Sequence, residues 1–105
     1  MNNKELFLEA INNKKIISLT FNSEEKWTIT RKCIPFDFWP WRRKIDVNPD
    51  RYHLYDLDSP EWKHNLSVLP ERVIKIEILD ETFHPWDYIN WKTNWFVKRD
   101  WGIYS

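Results

Sequence analysis

Apolar and polar positions alternate with two different periods along this chain, and the periods divide it into elements. Over residues 2–13, NNKELFLEAINN, the residues Leu6, Phe7, Ala10 and Ile11 recur at helical spacing and share one face. Asn2 is placed to cap that helix, with Glu5 three positions on as the second half of a capping box. The Asn12–Asn13 pair suits the left-handed residue that closes a helix. From residue 15 the period falls to two. KIISLTF (15–21) sets Ile17, Leu19 and Phe21 against Ser18 and Thr20, the signature of a half-buried strand. KWTITRKCI (26–34) alternates again after an Asn-Ser-Glu-Glu turn, and Pro35 predicts a strand end or edge there. Residues 36–50 read as a long loop with a short strand over 36–39. Strands are expected at 51–57, 64–69 and 73–79, the last with Ile74, Ile76 and Ile78 against Lys75 and Glu77. Phe83 is expected to close the core.

One helix followed by about five short strands leaves no room for crossover helices. The expectation is a mainly β fold, a small antiparallel barrel of the Sm-like or SH3-like kind. Residues 1–84 form that unit, and 85–105 form an aromatic C-terminal extension that packs on the barrel or on a partner. Glycine occurs once in 105 residues, so Asn22, Asp37, Asn48 and Asp58 are expected to take the unusual turn conformations.

Eight Trp, six Phe and four Tyr give the chain far more ring area than its mean hydropathy suggests, which argues against disorder. Sixteen basic and sixteen acidic residues cancel. With no global field, any anion or nucleic-acid binding must come from a local patch. The lone Cys33 excludes an internal disulfide and fits a reducing compartment. One Cys and three scattered His offer no zinc spacing, and no cofactor is expected. No segment approaches the ~20 apolar residues of a membrane span, and the first residues hold no apolar run of signal-peptide length. A soluble, cytoplasmic protein without membrane contact is expected. No nucleophile–base ordering, Gly-rich phosphate loop or supported carboxylate pair points to an enzyme.

The residues also resemble a known family. AINNKKIISLTF, then RKCIP with Arg31 and Pro35, then YHL at 52–54, then ERVIKIEILDETF follow in order the elements of a WYL domain. The resemblance covers roughly residues 5 to 84 and places Arg72 on the arginine of the family's Asp-Arg-Ile strand. Tyr52 and His53 stand where the family name motif has Trp and Tyr; only Leu54 is shared. No helix-turn-helix precedes the domain, and the aromatic tail is an addition. The resemblance implies a ligand- or nucleic-acid-sensing regulatory module rather than a catalyst.

Four candidate regions follow. Arg31 shares a strand face with Trp27 and Ile29. It either bridges to an acid such as Asp56 or Glu71, or joins Arg72, with Tyr52 or His53, to hold a small anionic ligand. In FWPWRRK (38–44), Trp39 and Trp41 could stack bases while Arg42, Arg43 and Lys44 hold the phosphates of a single-stranded nucleic acid. The alternative is a solvated loop whose rings cover the barrel. Trp86, Trp91, Trp95 and Trp101 are too many rings to leave in water. They are expected to pack on the barrel itself, on a second copy as a homodimer, or on another protein, with KRDW (98–101) as a charged rim. Asp56, Asp58 and Glu61 read as a solvated turn, and Cys33 as a small core residue.

Overall fold

A computed structural model describes residues 1–25, 27–40, 49–59 and 63–105. Helix α1 (Asn3–Asn13) starts where the capping pattern places it: the Asn2 side chain accepts from the Glu5 amide at 2.8 Å, and the Glu5 carboxylate accepts from the Asn2 amide at 3.3 Å. Phe7, Ala10 and Ile11 are fully buried. The left-handed residue is Lys14 (φ 53°), one position beyond the Asn pair. The strand that follows sets this position: Lys15 already pairs with Thr82, and the Lys14 carbonyl accepts from the Phe83 amide at 3.0 Å.

Five antiparallel strands make one sheet in the order β4-β3-β2-β1-β5: β1 Lys15–Asn22, β2 Thr28–Trp39, β3 Arg51–Asp56, β4 Asn65–Val68 and β5 Val73–Thr82. The fold is mainly β, as the alternation predicts. The sheet does not close, however, so "barrel" describes it only loosely. α1 packs across β5, β1 and β2, and the Asn3 side chain accepts from the Ile76 amide at 3.1 Å. Among the described residues no helix is long and apolar enough to cross a membrane.

The largest departure from the sequence reading is in β2. Pro35 does not end the strand. It is fully buried opposite Leu54, and β2 runs on to Trp39 through a register shift between Pro35 and Asp37. A bulge admits a residue without an N–H, because the ladder is already interrupted there. Nor do Asn22 and Asp37 take turn conformations. They lie in β1 and β2, and the described residues with positive φ are Lys14 and Gly102. Asn48 lies outside the described residues. In β5, Ile76 is buried but Ile74 is half in solvent, because it is the extra residue where the β1–β5 register shifts between Thr20 and Phe21.

Asp37, expected in a turn, is instead a buried polar centre of the fold. Its carboxylate accepts from the amides of Phe38, Phe96 and Val97, each at 3.0 Å, and pairs with Arg99 Nη2 at 3.4 Å. The Arg99 side chain has no exposed surface. It packs in the corner made by the rings of Trp95 and Trp101, with centroids at 4.3 and 4.4 Å, and donates to the carbonyls of Phe36 and Val97. Within KRDW, Arg99 thus turns its charge inward and Trp101 is buried, while Lys98 and Asp100 stay exposed. Around the Asp37–Arg99 pair the tail is fastened by its indoles. Trp101 Nε1 donates to the Ile11 carbonyl at the end of α1 (2.9 Å), and Trp95 Nε1 donates to the Tyr104 carbonyl (2.7 Å). Trp101 also meets Phe83 edge to face at 5.4 Å.

Burial pulls the Arg99 guanidinium down to about 10, and Asp37 pushes it back up. A cation whose pKa falls on folding carries a charge that opposes folding at every pH below that value. At neutral pH the tail therefore depends on its countercharge. Asp37→Asn should cost about 3–5 kcal/mol, seen as a lower urea midpoint at unchanged slope. Asp37→Leu combined with Arg99→Met should recover part of that loss. A loss below about 1 kcal/mol for Asp37→Asn would mean that the pair behaves as a solvated one.

Candidate anion-binding cleft

The β1–β2 turn and β4 face one another across a cleft of about 400 Å³. One wall is the turn after β1, Asn22 to Glu25, closed by a hydrogen bond from the Ser23 amide to the Trp27 carbonyl at 2.8 Å. The other wall is Leu66 to Leu69. Arg31 enters from β2, Arg51 and Asp56 from β3, and Arg72 from the 3-10 turn Pro70–Arg72 that follows β4. Residues distant in the chain, Arg31 and Arg72, thus line one space.

The arginines are held differently. Arg31 does bridge to an acid: its Nε lies 3.8 Å from Asp56 Oδ2, and its Nη1 donates to the Asp58 carbonyl at 2.7 Å. Asp58 in turn accepts from the Lys32 amide at 2.8 Å, so this acidic turn is tied to the central strand β2. Glu61 lies outside the described residues. Arg72 donates from Nη1 to the Ser23 carbonyl at 3.1 Å, which aims its guanidinium across the cleft. Among the described residues no carboxylate lies within ion-pairing distance of Arg72. Arg51 joins the same lining without having been singled out in the sequence. The alternation of β3 puts it on the face of His53 and Tyr55, and only the pairing of β3 with β4 reveals which space that end of the strand borders.

The other expected ligand contacts lie elsewhere. Tyr52 is 3% exposed, clamped between the rings of Phe7 and Phe38, each at 4.8 Å; burial raises its phenol pKa. His53 sits 2.5 Å from the Trp39 carbonyl through Nε2 and within 3.4 Å of Ser67 Oγ through Nδ1. It borders a separate hollow with Phe36, Trp39 and Trp95. Trp39 stacks on Phe96 at 4.1 Å with ring planes 10° apart, so one face is already covered. Trp41, Arg42, Arg43 and Lys44 lie outside the described residues. Of the tail rings, Trp101 is buried and Trp95 half-buried, while Trp86 and Trp91 are 59% and 47% exposed. Among the described residues no group of three His, Cys, Asp or Glu is placed to hold a metal ion.

No protein-family model, curated protein or solved structure matches this chain.

Cys33 lies fully buried on β2 beside the acidic side of the cleft. Burial first, then Asp56 and Asp58, push its thiol well up, against the pull of Arg31. A thiol so held is neither nucleophile nor ligand at neutral pH. Ellman's reagent should leave it unmodified in the native protein and react at once in denaturant. Rapid labelling of native protein would show that this part of β2 opens.

Proposed function

We propose that this chain is a WYL-like regulatory module, non-catalytic, that accepts an anionic ligand in the arginine-lined cleft. The observation that carries the reading is Arg72: it faces a cleft shared with Arg31 and Arg51 and has no carboxylate neighbour among the described residues. A half-buried guanidinium keeps donors in a planar fork that suits a carboxylate or phosphate. Asp56 neutralises Arg31 locally, so Arg72 supplies the attraction for an anion, against the repulsion of Glu24 and Glu25 in the same lining. The ordered match of residues 5 to 84 to the WYL pattern, with Arg72 at the family arginine, supports the same assignment.

The test is an NMR titration of the arginine Nε–Hε signals with inorganic phosphate. Arg72 and Arg31 should shift saturably, and the apparent affinity should fall as salt is raised. Arg72→Gln should weaken binding roughly tenfold or more while leaving the circular dichroism unchanged, as loss of a charged hydrogen bond does. Absence of saturable shifts, or undiminished binding by folded Arg72→Gln, would refute the assignment. Unfolding of Arg72→Gln would make the arginine a structural anchor of the β1–β2 turn.

A further inference from the structure

The cleft carries both signs of charge, and that bears on what it takes. Arg31, Arg51 and Arg72 line it together with Glu24, Glu25 and Asp56, so the lining is formally neutral. A polyanion gains no net attraction from such a lining. The charges are also unevenly matched. Arg31 and Asp56 meet one another, with Nε 3.8 Å from Oδ2. Arg72, Glu24 and Glu25 do not: among the described residues, none of them lies within ion-pairing distance of an opposite charge. Yet one turn brings them together. The Ser23 carbonyl accepts from Arg72 Nη1, and Glu24 and Glu25 follow Ser23 in the chain. Ser23 is itself fixed, because its amide donates to the Trp27 carbonyl and its hydroxyl accepts from the Trp27 amide at 3.2 Å. The turn therefore sets a cation and two anions around one space and leaves them unpaired. Phe21, Ile29, Leu66, Val68 and Leu69 give the same space an apolar surface.

We infer that the ligand of this cleft is a free α-amino acid with an apolar side chain, its carboxylate on Arg72 and its ammonium toward Glu24 and Glu25. This rests on the anion-binding reading above and names the class of anion. An α-amino acid carries both charges on a single carbon, which suits opposite charges gathered by a single turn. Glu24 and Glu25 repel a simple anion but attract this one, so the same lining selects the zwitterion and disfavours phosphate. The planar fork of Arg72 takes the carboxylate, and the ammonium offers donors that only acceptors such as carboxylates can meet. Ile29, Leu66 and Leu69, all half-buried, take the apolar side chain out of water. The volume agrees: about 400 Å³ lies toward the small end of ligand pockets, a scale for one small molecule.

The test titrates the full chain with each common amino acid in turn and with inorganic phosphate. It follows the arginine Nε–Hε signals and the backbone amides of the turn. At least one amino acid with an apolar side chain should shift Arg72 and the turn saturably. Two analogues of that amino acid then separate its charges. The methyl ester, which loses the carboxylate charge, should bind roughly tenfold or more weakly, as loss of a charged hydrogen bond does. The deaminated acid, which lacks the ammonium, should bind about threefold or more weakly, the scale of exposed ion pairs. Glu24→Gln combined with Glu25→Gln should erase that second difference and strengthen phosphate. A deaminated acid that binds as well as its parent, or a double variant that still discriminates, would overturn the zwitterion and leave the anion cleft standing. So would phosphate binding without a response to any amino acid. If phosphate fails too, both readings fall. Should the double variant unfold, the two analogues decide the question in the native protein.

Discussion

A carboxylate placed inside a small β domain must be met by donors or it destabilises the fold. Asp37 is met by three backbone amides and a guanidinium, and three of those four donors belong to the last ten residues of the chain. The consequence runs both ways. The bulge after Pro35 turns Asp37 inward, and the tail must then come to it. Once there, Arg99 is desolvated and depends on Asp37 in return. Trp95 and Trp101, set edge to face with each other, complete the site by packing against the guanidinium, where ring electrons offset part of the lost hydration. The tail is thus not an appendage to the sheet but the second half of a buried site that the sheet begins.

The elements that depend on local pattern were legible in the sequence. The capping box at Asn2 and Glu5, the alternation of β1 and the buried Phe83 need only neighbouring residues to be recognised. β2 was misjudged at Pro35 because a proline's missing N–H matters only where a ladder bond is required, and the bulge removes that requirement. The Asp37–Arg99 pair joins residues far apart in sequence across an irregularity, and neither residue type at neither position signals burial. Lys-Arg-Asp-Trp read in isolation is a surface tetrad; the inward turn of its Arg99 side chain follows from the packing of Trp95 and Trp101.

The cleft shows the same division. Arg31 was singled out by strand alternation and Arg72 by a resemblance in the sequence, and the structure sets both beside one space. Tyr52 or His53 was expected beside them, from the position of the family's name motif. The two sit on opposite faces of the strand, and one enters the core while the other borders a separate hollow, so neither lines the cleft. Arg51 was passed over for the converse reason. A residue at a strand start borders whatever the next strand brings alongside, and that is set by register rather than by composition.

An open five-stranded sheet in a chain of this length has little core to spare, since a small domain buries a modest share of its surface. The aromatic tail supplies the missing area on the side of Phe36, Phe83 and the end of α1. That side is sealed by rings and a buried ion pair, whereas the arginine-lined cleft lies between the β1–β2 turn and β4. There Arg72 stays half-buried, so its guanidinium keeps part of its hydration and does not need the countercharge that the desolvated Arg99 requires. The two arginines mark the two ways a small β domain can carry a cation: one enclosed with its carboxylate, the other left at an open cleft.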